Sequence, residues 1–575
     1  MRGLRTWANR TIVAMLSASV VIGPGSFAVA APNRGQSQEP SGHPRLSRGL
    51  SEKARGGGAA ERVDVIVTFV SRPQDGEPSL APQVGGERKQ RYEKLPFEAM
   101  QVPVRALEAL ANHPNVKFVS VDEAVISHSK SARETARVPG SSTVSSTANT
   151  SYKGSGVTVA VLDSGAYSHG DYYGTLLAQF DFVGAAAGME TGFHDGFGHG
   201  THVAGMVGAD GYYSYSMKYR GAATESGIVS LRVLNDQGAG TVSDVIQALD
   251  WILTTGKTRY GIRVANLSLG KGVETAQALD PLVQAVNAVW DAGVVVVVSA
   301  GNFGSSGHYT VTSPGNSRKV ITVGSLTDND TGSTVTDDFV STYSSRGPTL
   351  YDHVLKPDLL APGNRVISTF AEGSTIGSLL PANILCGFTS SCNWRYLRLS
   401  GTSMSTAVVS GAVARMLNKN STLSPATVKA RLMKSARKIT GDSTITGAGV
   451  LDVDAAMNMT GSITGQALSP LIGLSSDKTR VYVENTSTLW GNSQWAAGHI
   501  WTNGSLWSNG YTSANGYIWS DASLWSNGYV WSNASLWSNG YIWSNGSLWS
   551  NGFIWSNYVQ PFSLGAEDSV TGTEN

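Results

Sequence analysis

At 575 residues, the chain exceeds the roughly 250 to 300 residues over which one hydrophobic core can grow, so it must divide into several units. Its formal net charge of +1 gives no electrostatic reason to expect nucleic acid or an anionic membrane surface as a partner.

Arg2, Arg5 and Arg10 precede the apolar run "TIVAMLSASVVIG", and Ala28 to Ala30 bring small residues before the pattern breaks. That order predicts a secretory signal peptide over 1–30. Gly23, Pro24 and Gly25 interrupt the run and leave it shorter than the roughly 20 residues a membrane span needs, which argues against an anchor. No later segment is apolar for long enough, so the mature chain is expected to be secreted, extracellular and without a transmembrane anchor. In an exported chain a local disulfide between Cys386 and Cys392 ("LCGFTSSCNW") is permitted and would contribute about 2 kcal/mol; two free thiols are the alternative.

Residues 31–60 are rich in Gly, Pro, Ser and charge and read as a disordered linker. From 61 to 128 the pattern is that of a small α+β domain. "RVDVIVTFV" and "FEAMQVPV" read as strands, "ERKQRYEK" as helical, "RALEALANHP" as an amphipathic helix stopped at His113-Pro114, and "VKFVSVDEAV" as a further strand. The polar Ser/Thr-rich tract 129–154 reads as an exposed linker that is easily cut.

Between 155 and 458 nearly continuous apolar runs alternate with helical patterns. "VTVAVLDSG", "GIVSLRVL", "RVANLSLG", "VVVVVSAGN" and "KVITVGS" are the runs; "SDVIQALDWILTTG" and "ALDPLVQAVNAVWDAG" lie between them. Strands apolar on both faces belong to a parallel sheet covered by helices, an α/β fold whose chemistry collects at the carboxyl ends of the strands. Asp163, Ser268 and Asn302 stand at such ends.

A linker at 459–488 leads into 489–558, where Trp recurs every sixth residue from Trp495 to Trp555, interrupted only at Ser513. The aliphatic-Trp-Ser-Asn-Gly pattern predicts a short strand and a tight turn per hexad, hence a β-rich repeat array. A structural stalk and an aromatic platform for a cell surface or polysaccharide are both consistent with it. A tail follows at 559–575.

Hydrolysis of an amide by a side chain needs a nucleophile, a base, a carboxylate to orient the base, and donors for the oxyanion. Asp163, His199 in "GHGTHVAG", Asn302 in "SAGN" and Ser403 in "SGTSMS" could supply them in that order. Each alone has an ordinary explanation as a cap or turn residue. His199 and His202, three residues apart, also raise the possibility of a shared zinc ion, but the octapeptide holds no acidic residue to serve as a metallopeptidase base.

Those stretches, with "NLSLG", "SPGNSRKVITVGS", "YSSRGP" and "KPDLLAPG", resemble subtilisin-like serine peptidases over roughly 155–458. The resemblance implies that Ser403 attacks the scissile carbonyl, that His199 takes and returns the proton, and that Asp163 orients His199. It makes Asn302 an oxyanion donor together with the Ser403 backbone N–H. It assigns Ser268, Leu269, Gly270, Ala300 and Gly301 to the primary specificity pocket, and Gly238, Ala239 and Gly240 to the segment on which an extended substrate pairs. His202 becomes a structural neighbour. The small domain at 61–128 resembles the family's inhibitory propeptide, so protein or peptide substrates and the chain's own propeptide are the expected partners, and the precursor is expected to be a self-processed zymogen.

Three features depart from the family's pattern. Ser405 replaces a common alanine. "ADGYYSYSMKYRGAA" lacks the asparagine-containing calcium loop, so structural calcium has no assignable ligands, and no cofactor is required for the chemistry. Lys271 adds a charge beside the pocket without fixing a specificity. The reading from another class is a surface-bound or adhesive protein in which the repeat tail is the main module.

Overall fold

The computed structural model describes residues 43–483, except 57–60, 75–76, 123, 128–133, 140, 142–143, 145, 185–187, 330–336, 388–391, 440–442 and 475–480. The expected signal peptide, the hexad repeats and the tail lie outside the described residues.

In the small unit, α1 (Arg48–Gly56) precedes β1 (Arg62–Phe69), β2 (Glu87–Arg91), β3 (Phe97–Pro103), α2 (Leu107–Ala111) and β4 (Val116–Val121). The strands form an antiparallel sheet ordered β2-β3-β1-β4. Val65, Val67, Met100, Val102, Leu107 and Val119 fill its core.

Two expectations fail here. The stretch expected to be disordered over 31–60 contains α1, because Leu46 and Leu50, four residues apart, are buried in this core and Ala54 packs against it. One apolar residue per turn suffices to dock a helix on a sheet, whatever the average composition. "ERKQRYEK", expected to be helical, supplies β2: register pairing with β3 and the Arg91 guanidinium, 2.6 Å from the buried Glu98 carboxylate, outweigh local propensity.

The strand expected over "VKFVSVDEAV" divides. β4 ends at Val121, the chain leaves the sheet at Asp122, and β5 (Ala124–Ser127) joins the large domain instead.

The large domain carries a nine-stranded sheet. Its strands are β6 (Thr158–Asp163), β7 (Leu176–Asp181), β8 (Met189–Thr191), β9 (Gly227–Arg232), β11 (Ile262–Leu267), β13 (Val295–Ser299), β14 (Ile321–Thr327), β15 (Phe339–Val340) and β16 (Leu359–Pro362). The order is β15-β14-β13-β11-β6-β9-β7-β8, with β16 also on β14. All pairs are parallel except those of β8 and β15. The sheet expected to be parallel is thus mixed at these two places.

Val159, Val161, Val229, Leu231, Val264, Leu267 and Val295 to Val298 are fully buried within it. α3 (His199–Gly208) and α6 (Thr402–Lys419) pack on one another and on the sheet, while α4 (Val242–Trp251) packs on α5 (Pro281–Asp291). Short strands β10 (Ala239–Thr241) and β12 (Leu269–Gly270) flank β5. A separate sheet joins β17 (Val366–Thr369), β19 (Arg395–Leu399) and β18 (Ile384–Cys386). No helix among the described residues is long and apolar enough to cross a membrane.

The tract expected to be an exposed linker at 129–154 is exposed at 146–148 but not throughout. Thr135, Ala136, Val138 and Asn149 are buried, Ala136 and Val138 within the main core. Arg415 of α6 donates to the carbonyls of Pro139 and Asn149. Likewise, the early part of the expected 459–488 linker is docked: Ala467 and Ser469 are buried, and Ser469 N–H donates to Arg318 O.

Candidate active site

Asp163 ends β6 with its carboxylate wholly buried at the carboxyl edge of the sheet. Its Oδ1 accepts from His199 Nδ1 at 2.7 Å and from the Ser164 N–H at 2.8 Å. A carboxylate only accepts, so the neutral ring carries its proton on Nδ1 and leaves Nε2 as the basic nitrogen. Asp163 Oδ2 has no hydrogen-bond partner among the described residues. A carboxylate beside the ring favours positive charge forming on it.

His199 is the first residue of α3, after Gly198 at φ 98°. This left-handed conformation carries no steric penalty in glycine. A Cβ on Gly200 would lie 2.2 Å from Gly165 O and 3.1 Å from Asp163 Cβ, so only glycine lets the helix approach the strand end this closely.

His202, one turn further, faces other partners. Its Nε2 donates to Leu397 O at 2.9 Å and Val366 O at 3.2 Å, tying α3 to β19 and β17. Burial, and next the neighbouring His199, push its pKa down to about 3, against the opposing pull of the two carbonyls. The histidine pair is therefore one ring held by a carboxylate and one neutral ring held by backbone.

Ser403 stands at the N-terminus of α6, where unpaired N–H groups and the helix dipole favour negative charge. Its Oγ donates to Ser268 O at 3.1 Å, and Ser268 Oγ donates to Ser403 O at 2.9 Å. Behind them Asn266 Nδ2 donates to Ser268 Oγ and Ser410 Oγ to Asn266 Oδ1, at 3.0 and 2.8 Å. This chain of bonds fixes the start of α6 against the end of β11. Asn302 Oδ1 accepts from the N–H and Oγ1 of Thr402 at 3.0 and 2.9 Å, which orients its amide and leaves Nδ2 to donate. The departure at Ser405 is accommodated by a hydrogen bond from its Oγ to Ala361 O at 2.8 Å.

The expected pocket segments also come together. Ala300 O accepts from Thr312 N–H at 3.0 Å, and Gly301 N–H donates to Thr402 Oγ1 at 3.3 Å. A Cβ on Gly270 would lie 2.6 Å from Thr312 Oγ1, and one on Gly301 2.8 Å from Thr312 Cγ2. Thr312, overlooked in the sequence, thus sits between the two walls formed by Ser268–Gly270 and Ala300–Gly301. Lys271 is buried with its Nζ 3.8 Å from Asp280 Oδ2, so its charge is turned into the domain. Cys386 and Cys392 are disulfide-bonded, with their Cα atoms 4.9 Å apart.

β5 occupies the cleft between two of these segments. Gly240 pairs with Val125 and Ala239 with Ile126 on one side, and Gly270 with Ile126 and Leu269 with Ser127 on the other, all antiparallel. The chain direction runs from Gly270 past Leu269 towards Ser268, whose carbonyl receives the Ser403 hydroxyl. The small unit is also fastened to both ends of α4. Asp122 Oδ1 accepts from Ser243 N–H at 2.8 Å, and Asp250 accepts from Glu93 and Lys94 N–H, each at 2.8 Å. Burial pushes both carboxyls up despite these bonds.

A mainly parallel sheet with a buried Asp–His couple at a strand end and a serine at a helix N-terminus is the α/β arrangement of the subtilisin-like class. The subtilase family model matches residues 154–449. Serine protease AprX of Bacillus subtilis (strain 168) is 40% identical over 318 residues, covering 54% of this chain and 67% of that protein. Subtilisin DY of Bacillus licheniformis is 35% identical over 307 residues, covering 53% and 92% respectively. Fervidolysin from Fervidobacterium pennivorans, a keratinolytic enzyme related to subtilisin, shares the fold with a TM-score of 0.55 at 20% identity, covering 78% of this chain and 68% of that one. The chain belongs to the subtilase family and is a subtilisin-like serine peptidase.

Proposed function

We propose that the protein is a secreted serine endopeptidase, made as a zymogen that processes itself. The observation that carries this reading is the buried 2.7 Å bond between His199 Nδ1 and Asp163 Oδ1. It is supported by β5, which lies in the cleft as a substrate would, antiparallel to both flanking segments.

Ser403 Oγ attacks the carbonyl carbon as His199 Nε2 takes its proton, and Asp163 stabilises the resulting imidazolium. Charge developing on the carbonyl oxygen is received by Asn302 Nδ2 and the Ser403 N–H. Collapse of the tetrahedral intermediate returns the proton from His199 to the leaving amine and leaves an acyl-Ser403 ester, which water hydrolyses by the same steps in reverse. The substrate backbone pairs with Gly238–Gly240 and Ser268–Gly270, as an added strand. No step draws on a metal or cofactor.

The residues around 61–128 serve as the inhibitory propeptide. The processed bond falls between Ser127, in the cleft, and Glu134, since Ala136, Val138 and the Arg415 anchors belong to the large domain. This narrows the processing region expected at 129–154. Full-length wild type and Ser403→Ala test the reading together. Wild type is expected to yield a mature N-terminus between 128 and 134, while the variant stays uncut after leader removal and loses peptidase activity by roughly 10⁶-fold. Equal processing of the two would rule out autocatalysis.

A further inference from the structure

We infer that Asp195 is a positioning residue for the Asp163–His199 couple, acting through Ser164 and the first turn of α3. This inference rests on the proposed role of His199. Asp195 is buried, at 3% exposure, and lies four residues before His199 in a loop with no regular structure. Its carboxylate accepts four hydrogen bonds, all from the two pieces of chain that must meet at the site. Oδ1 receives Ser164 Oγ at 2.8 Å and Gly198 N–H at 2.7 Å; Oδ2 receives the Thr201 N–H at 2.8 Å and its hydroxyl at 2.6 Å.

Ser164 completes the link, because its Oγ accepts from the Gly200 N–H at 2.9 Å while its own N–H donates to Asp163 Oδ1. On the other side the Thr201 hydroxyl accepts from Tyr167 N–H at 2.9 Å. The helix N-cap is Gly198, which has no side chain to satisfy the orphan N–H groups of the first turn. Asp195 and Ser164 satisfy those of Gly198, Gly200 and Thr201 in its place. His199 lies inside that turn and Asp163 is joined to Ser164, so the same carboxylate fixes both ends of the 2.7 Å bond.

The geometry also accounts for the residue type. Four donors and a helix N-terminus stabilise a buried anion without a basic partner, whereas an amide would turn two N–H donors towards groups that themselves donate. The bonds of Asp195 would hold the couple without touching substrate.

The test compares Asp195→Asn and the milder Ser164→Ala in the processed full chain, with kcat and KM measured on a small peptide substrate and normalised to folded protein by circular dichroism. Asp195→Asn is expected to lower kcat by roughly 10² with KM nearly unchanged, because a displaced base costs rate and not binding. Ser164→Ala should lower kcat by about fivefold, because it removes the two hydrogen bonds of the Ser164 hydroxyl but leaves the Asp195 bonds to Gly198 and Thr201 in place. In Asp195→Asn the acid limb of the kcat/KM profile should shift to lower pH, as the imidazolium loses a nearby anion and its aligned partner. Variants that lose thermal stability but keep wild-type kcat and an unmoved acid limb would overturn the positioning role. His199→Ala retaining activity would instead overturn the reading on which the inference rests.

Discussion

The large domain and the small one are both cored by aliphatic residues, yet they are joined differently from the way either is held together. Inside the large domain, valines of neighbouring strands pair within one continuous apolar core, and the catalytic candidates stand where those strands end. Between the domains, Ile66, Tyr92, Leu95 and Phe97 lend apolar contact to the main core, but carboxylates do the fastening at both ends of α4. Tyr92 hydroxyl adds a bond to Ser243 O at 3.2 Å. Mixed aromatic and polar contacts of this kind are those of a protein–protein interface, which can separate while each partner stays folded. One region is built to be permanent, and the other, on the proposed function, to be released.

Substitution inside the permanent region should have the largest effect. Gly200→Ala would place a methyl 2.2 Å from Gly165 O, and backbone on both sides leaves little room to yield. His199 should move away from Asp163, so peptidase activity should fall by at least roughly 10² and thermal stability with it. Wild-type kcat in Gly200→Ala would mean that the close approach of α3 to β6 does not set the site.

The interface should respond more mildly and in a different observable. Asp122→Ala removes the acceptor bound to Ser243 N–H and Oγ at the start of α4, leaving the mature domain intact. Processing should proceed, but the lag between bond cleavage, seen on a gel, and the appearance of peptidase activity should shorten by roughly tenfold, the effect of losing hydrogen bonds to a charged acceptor. An unchanged lag would show that β5 and the apolar contacts alone set release.

The different physics of the two regions also decided how much of each was legible in the sequence. Strands such as Val295–Ser299 announce themselves because burial on both faces demands uninterrupted apolar residues, and Asp163, His199, Asn302 and Ser403 lie in compact motifs of small residues that close packing requires. Thr312 acts through contacts that only the fold brings about, and Asp195, whose four hydrogen bonds appear only once the loop and Ser164 are folded together, looks in a glycine-rich loop like any turn residue. β2 was misread because a charged edge strand has helical propensity until β3 is there to pair with it. Leu46 and Leu50 were hidden by the polar residues around them, although their spacing was the signal that mattered. Asp122 and Asp250 carried none, since their partners, Ser243 for the one and the Glu93 and Lys94 N–H groups for the other, lie more than a hundred residues away in the chain.

The smallest effect sharpens the contrast within the permanent region, between two histidines of one helix. His202 is neutral in the fold with a pKa near 3, against about 6.5 in an unfolded chain. A base whose folded value is depressed makes the unfolded state bind more protons as pH falls, so stability is complete above about pH 6.5 and is lost progressively towards pH 3. Its full contribution amounts to up to about 1.4 kcal/mol per pH unit in that window. His202→Gln keeps an N–H donor for the Val366 and Leu397 carbonyls but cannot be protonated. In a Ser403→Ala background, which prevents self-digestion, denaturant unfolding at pH 7.5 and pH 5.0 should show a stability gap narrower by about 2 kcal/mol in His202→Gln than in its parent. Identical gaps would mean that His202 takes up a proton within the native fold. The two carbonyls would then be partners of an imidazolium, and the division of labour along α3, with charge forming only on His199, would not hold.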